Sequence, residues 1–114
     1  MPDCLFCKIV AGEIPAAIVA EDDEVLAFKD INPQAPVHLL VIPKRHIANT
    51  ATATESDEPL IGHVLRMGCR VAAEADVDES GFRLVLNRGP DSGEAVPHLH
   101  LHVLGGRKLA WPPG

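Results

Sequence analysis

The sequence predicts an α+β domain: a five-stranded antiparallel sheet with one short and one long helix. Three observations point there. Apolar residues recur at helical spacing over one long stretch only, near 58–75, and short β-type runs lie on both sides of it. Only one connection between those runs is long enough for a crossover, whereas parallel strands would need one after nearly every strand. At 114 residues the chain makes a single domain, 1–114, able to bury a core without cross-links.

The elements follow in order. Cys4-Leu5-Phe6-Cys7-Lys8-Ile9-Val10 reads as a turn or two of helix ending at Gly12, where a left-handed cap costs little, and Pro15 prevents continuation. Ala16 to Ala20 and Val25 to Lys29 are apolar-rich pieces joined by the acidic turn Glu21-Asp22-Asp23-Glu24. Asp30 to Pro36 is a loop by its prolines and its Asn-Pro pair. Val37 to Pro43 is a strand, and the unbroken run Leu39-Leu40-Val41-Ile42 predicts that it is buried on both faces. Residues 49–57 connect it to the long helix, from about Glu58 to Ala75. Pro59 suits the first turn, and Leu60, Ile61, Val64, Leu65, Gly68, Val71, Ala72 and Ala75 form the apolar stripe. Cys69 is expected in the core beside that stripe and His63 in solvent. Asp76 to Gly81 turns the chain into a strand at Phe82 to Asn87. A glycine-bearing loop, 88–93, then leads to the last strand, and the tail after Gly106 is too rich in proline for regular structure.

That last strand carries the chemistry. His98-Leu99-His100-Leu101-His102-Val103 alternates imidazole and aliphatic side chains, which on an extended backbone puts the histidines on one face and the aliphatics on the other. Neighbouring histidines would stand about 7 Å apart and the outer pair about 13 Å, so one metal cannot gather all three. A His-x-His pair can share a catalytic zinc if a third ligand comes from elsewhere. A phosphate with its leaving group is about the right size to touch His100 and His102 together. Gly89, Gly93 and Asn87, just before the strand, can bring amide N–H groups to an anion.

Cys4 and Cys7, in a Cys-x-x-Cys pair, are half of a tetrahedral zinc site, for which His46 and His98 are candidate partners. Two buried thiols on an apolar helix are the alternative. A redox pair lacks the βαβ context it needs. The formal charge of −6 argues against a nucleic-acid binder that relies on a basic surface. No apolar run approaches the roughly 20 residues of a membrane span, and Met1-Pro2-Asp3-Cys4 does not open a signal peptide, so a cytoplasmic location is expected.

The segment His98 to Leu104 matches the His-φ-His-φ-His-φ-φ signature, and the chain resembles the histidine-triad nucleotide-binding proteins over nearly its whole length. It is most similar to the Hint branch, through Phe28-x-Asp30-Ile31-x-Pro33-x-Ala35-Pro36-x-His38, Val41-Ile42-Pro43-Lys44, Leu104-Gly105-Gly106-Arg107 and Trp111-Pro112-Pro113-Gly114. The resemblance implies a homodimer whose two sheets join into a ten-stranded one. It implies hydrolysis of purine nucleoside 5′-phosphoramidates or acyl-nucleotides such as adenylates, with AMP- or GMP-type substrates. His100 would be the nucleophile, His102 a phosphate donor, His38 an orienting group and His98 a support behind the nucleophile. Phe6, Ile9, Phe28 and Ile31 would form the purine slot and Asp30 would take the ribose hydroxyls. Asn87, Gly93, Ala95, Val96 and Trp111 complete the implied nucleotide-binding set.

Two departures matter. The family often has serine where this chain has Ala95, so protonation of the leaving group must come from His102, another residue or water. The Cys-x-x-Cys pair is shared with zinc-binding relatives and implies a structural zinc on Cys4, Cys7, His46 and His98. A purine-nucleotide sensor with weak catalysis and a zinc-dependent hydrolase are the alternative functions.

Overall fold

The sheet's two faces are built from the alternation within each strand, and each face has its own cover. A computed structural model describes residues 3–114; Met1 and Pro2, the start of the segment read as no signal peptide, lie outside the described residues. Helix α1 spans Leu5–Val10, strands β1 Ile18–Glu21, β2 Val25–Lys29 and β3 Val37–Pro43, helix α2 Glu58–Glu74, and strands β4 Phe82–Leu86 and β5 Leu101–Gly105. The sheet order is β1-β2-β3-β5-β4, antiparallel throughout. The expected fold class is the observed one.

Register explains the two faces. Phe28 pairs with Leu40 and Leu40 with His102, while Ala27 pairs with Val41 and Val41 with Leu101. Directly paired residues share a face. Val25, Ala27, Leu39, Val41, Leu101 and Val103 therefore pack under α2, with Leu60, Val64, Met67 and Val71 from the helix. Leu26, Phe28, Leu40 and Ile42 face the other way and pack with Cys4, Phe6 and Ile9 of the α1 segment. The unbroken apolar run of β3 is needed because both of its faces are covered. Helix α2 sits so close to β5 that a Cβ at Gly68 would stand 2.6 Å from Leu101 Cδ2.

Four expectations change. The histidine stretch is not one strand: β5 begins only at Leu101, and ahead of it Leu99 N–H bonds to Ile47 O while His98 N–H bonds to Val96 O. Those two bonds bend the chain toward the Pro43–Ile47 turn. Cys69 is exposed rather than in the core, and Leu65 retains 37% exposure, because the buried stripe of α2 follows Leu60, Val64, Met67, Gly68 and Val71. His63 is not simply solvated: its Nε2 lies 2.6 Å from Asp22 Oδ2, tying α2 to the β1–β2 turn. The start of α2 is tied down as well. Asp57 accepts from Arg45 Nη2 at 2.6 Å and from Thr54 N–H at 2.8 Å, and these bonds hold its carboxyl below the usual range.

Candidate functional site

Five of the six histidines fall into two groups, His46 with His98 and His38 with His100 and His102, and backbone partners fix the tautomers of His98, His100 and His38. A ring nitrogen facing a carbonyl oxygen must donate, and one facing a backbone N–H must accept. These fixed partners assign the neutral tautomers.

His98 is fully buried. Its Nε2 donates to Pro43 O at 2.9 Å, so Nδ1 carries a lone pair. That lone pair faces Cys4 Sγ at 3.2 Å, Cys7 Sγ at 3.5 Å and His46 Nδ1 at 3.1 Å, and Cys7 Sγ lies 3.3 Å from His46 Nδ1. Each element contributes for a local reason. Cys4 caps α1 and accepts the Cys7 N–H on its sulfur, His46 leaves the turn after β3, and His98 arrives on the bent segment before β5. The four ligand atoms lie within 4.8 Å of one another, a set that could hold a metal ion. Ligands around a tetrahedral ion at zinc bond lengths stand about 3.3–3.8 Å apart, so the cluster fits such an ion after slight expansion. Burial, with Cys4 alongside, pushes the Cys7 thiol up, and burial lowers the His98 pKa despite its bond to Pro43.

His100 is oriented the opposite way. Its Nδ1 donates to His98 O at 2.8 Å, leaving the Nε2 lone pair free to attack. The Phe6 ring stands edge-on to both His98 and His100, at centroid distances of 5.9 and 5.1 Å. One aromatic ring thus touches both groups.

His102 and His38 form a chain. Gln34 N–H donates to His38 Nδ1 at 3.0 Å, so the His38 proton is on Nε2, which faces His102 Nδ1 at 2.9 Å. His102 then carries its own proton on Nε2, available to a bound anion. The diagonal placement follows from register, since His38 pairs with Leu104 and Leu40 with His102. Burial first, then the neighbouring His100 and His38, pushes the His102 pKa down to about 4, against the pull of Asp30. Burial likewise lowers the His38 pKa. Asp30, His38 and His102 also bring three possible metal-ligand atoms together. The Gln34 bond places a proton on the His38 nitrogen that would have to ligate, which favours a hydrogen-bond chain over a metal there.

The remaining candidates are spread around this centre. Phe6, Ile9 and Phe28 are buried together, with Phe6 and Phe28 at 5.7 Å and 70°, whereas Ile31 is fully exposed beyond them. Val96 packs against the same cluster. Asn87 follows β4, half-buried, and Gly93 closes the next turn at φ 83°. Ala95 is exposed, and Trp111 stands 81% exposed in the tail. Two residues not singled out in sequence also matter, Gln34 through its backbone N–H and Arg107 through bonds to Gln34 O at 3.2 and 3.1 Å. Backbone partners leave no side-chain signature, although the Gly-Gly-Arg motif marked Arg107. Here Gly106, at φ 87°, approaches Pro36 too closely for any Cβ.

Fold and site together define a class: a small antiparallel α+β domain with a cluster of three histidines at the start of β5 and on β3, beside a Cys2His2 cluster. The chain belongs to the HIT domain family, whose model matches residues 11–109. An uncharacterized HIT-like protein of Synechocystis is 54% identical over 112 residues, covering 98% of this chain and 97% of that protein. The crystal structure of a HIT family hydrolase from Legionella pneumophila is 50% identical with a TM-score of 0.96, covering 98% of this chain and 100% of that one. A histidine triad protein from Clostridium difficile is 44% identical with a TM-score of 0.93, covering 96% of each chain.

Proposed function

We propose that the chain is a Hint-like hydrolase of purine nucleoside 5′-phosphoramidates or acyl-nucleotides, acting through a nucleotidyl-His100 intermediate. The observation that carries this is the His100 bond to His98 O at 2.8 Å, which aims a free Nε2 lone pair into the site. The similar Legionella protein's description as a HIT family hydrolase supports the reaction class.

Nε2 attacks the α-phosphorus, forming an N–P bond as the bond to the leaving group breaks. The His102 Nε2–H donates to the phosphate through the step. Water at the exposed Ala95 position supplies the leaving amine's proton. The hydroxide left by that water then attacks phosphorus, breaking the N–P bond, returning the electron pair to Nε2 and releasing the nucleoside monophosphate. Covalent catalysis thereby divides one difficult displacement into two. Phe6, Ile9 and Phe28 supply an apolar slot for the base, Asp30 an acceptor for the ribose and Asn87 with Gly93 donors for the phosphate, an arrangement suited to an acidic protein that must bind an anion locally.

The soft-to-borderline donors of Cys4, Cys7, His46 and His98 favour zinc. Its role would be structural, holding α1, the β3 turn and the segment before β5 together. All four donors would be protein atoms, so the catalytic-zinc reading gains no support from this cluster. The free edge of β4 suits pairing with a second copy into a ten-stranded sheet. Among the described residues no helix is long and apolar enough to cross a membrane, and three free cysteines suit the reducing cytoplasm.

The test is His100→Ala assayed on an adenosine 5′-phosphoramidate. Turnover should vanish while AMP binding persists; undiminished turnover refutes the nucleophile. In the wild-type protein, AMP binding without turnover of any phosphoramidate or acyl-adenylate would leave the sensor reading, which Ala95 favours.

A further inference from the structure

Asp30 touches the histidine chain as well as the sugar position assigned to it above. Its Oδ1 accepts the Asn32 N–H at 2.8 Å, and its Oδ2 lies 3.3 Å from His38 Nε2. That nitrogen carries one proton, because Gln34 N–H fills Nδ1. It goes to His102 Nδ1 at 2.9 Å, while the Asp30 carboxylate, 3.3 Å from the same nitrogen, makes an electrostatic contact with it and no aligned hydrogen bond. A negative charge that close pulls on the N–H and weakens the bond it makes to His102. The His38 side chain is buried and the Asp30 side chain is 18% exposed, so the carboxylate is open to a ligand and the proton it competes for is not.

We propose that Asp30 is a positioning residue that couples binding of a vicinal diol to the hydrogen-bonding state of His102, acting through His38. The inference rests on the nucleotide reading above. Ribose hydroxyls donating to Asp30 take up part of the charge that pulls on the His38 N–H. The His38 N–H then donates to His102 Nδ1 without that competing pull. His102 is held as the Nε2–H tautomer, and the bond it accepts polarises the one it offers to phosphate. A sugar lacking both hydroxyls leaves the carboxylate's pull in place and the donor weaker. The other groups facing His102 are His100, at a ring separation of 4.9 Å, and Leu40 and Val85 on the flanking strands. Neither aliphatic residue exchanges a proton, and Asp30 itself lies within 4.8 Å of ring nitrogens of both His38 and His102, so its charge reaches His102 directly as well as by way of His38, and the His38 N–H resonance reports the relayed part.

The experiment uses two uncharged probes, adenosine and 2′,3′-dideoxyadenosine, on the full chain with 15N-labelled histidine. Adenosine should move the His38 Nε2–H resonance downfield and strengthen the coupling across its bond to His102 Nδ1. Dideoxyadenosine, at concentrations that saturate the Phe6 and Phe28 ring shifts, should leave both signals unchanged. Asp30→Asn, shown to be folded by its amide spectrum, should lose the adenosine response. At saturation, kcat for a dideoxyribose phosphoramidate should fall about tenfold below the ribose form, roughly the effect of one hydrogen bond to a charged group. Equal responses to both nucleosides, or adenosine binding with no histidine response, overturns the coupling. If neither nucleoside shifts the Phe6 or Phe28 rings, the nucleotide site itself is refuted, and the coupling falls with it.

Discussion

His98 and His100 stand two positions apart in the chain and face opposite tasks. His98 gives its Nε2 proton to Pro43 O and turns the Nδ1 lone pair on two thiols and a second imidazole. His100 gives its Nδ1 proton to the His98 carbonyl and leaves Nε2 free. His98 of the Cys2His2 cluster and His100 of the neighbouring centre thus use the same side chain in opposite tautomers, while His38 and His102 carry the Nε2 proton as His98 does. What separates them is the partner that each local backbone supplies. The two regions are also joined, since the carbonyl that orients His100 belongs to His98.

The sharpest way to break this comparison is to delete one member of each region. His100→Ala should lower turnover by about a thousandfold or more at a stability cost of about 1–2 kcal/mol, because it empties a buried site beside Phe6 and leaves His98 O without its donor. Cys4→Ala should show the reverse order of effects. It removes a buried thiol of the proposed zinc site and, with zinc supplied, should cost several kcal/mol, about 3 or more, measured by thermal unfolding. Its residual turnover per folded molecule should exceed that of His100→Ala. A chelator should reproduce the stability loss in the wild-type protein.

Acidification separates the regions less strongly. The His102 pKa, pushed down to about 4, lies below the unfolded value, so below pH 6.5 the unfolded chain binds more protons than the folded one. Stability should therefore fall as pH drops from about 6.5 to 4, by at most about 3 kcal/mol from this group at roughly 1.4 kcal/mol per unit. His38→Gln should reduce that slope in chemical unfolding followed across the range, since the two rings lie 2.9 Å apart.

Smaller again is Arg45→Ala. Arg45 precedes His46, and the change removes the 2.6 Å bond to Asp57, so a small drop in melting temperature is expected, with weaker retention of added zinc in competition with a chelator. The smallest effect belongs to His63→Ala, far from both regions. It loses a half-exposed contact to Asp22, so the expected change is under about 1 kcal/mol and disappears in high salt. Asp22 is held at about 2, chiefly by the Glu24 N–H and then by His63. Its contribution is therefore complete above pH 4 and lost as pH falls toward 2.

Much of the fold was legible because periodicity reports burial directly. The run Leu39 to Ile42 announced a strand covered on both faces, and Leu60, Val64, Gly68 and Val71 marked the face of α2 that meets the sheet. Periodicity placed Leu65 and Cys69 less well, because a helix stripe read from sequence is wider than the groove the sheet presents. Within the site, residue types and spacing singled out His38, His46, His98, His100, His102 and the cysteine pair. They were silent on tautomers, which depend on backbone groups such as Pro43 O, His98 O and Gln34 N–H.

By itself, then, the sequence determined the fold class, the order of its elements and the residues able to act, since these follow from local spacing and side-chain chemistry. Only the tertiary structure decided that the histidine stretch bends before β5, that four possible metal ligands from separate segments converge and that the His38 N–H bonded to His102 lies against the Asp30 carboxylate. Those facts depend on contacts between positions as far apart as Cys4 and His98. Side-chain spacing along a chain carries no information about which distant backbone atom will face a ring nitrogen.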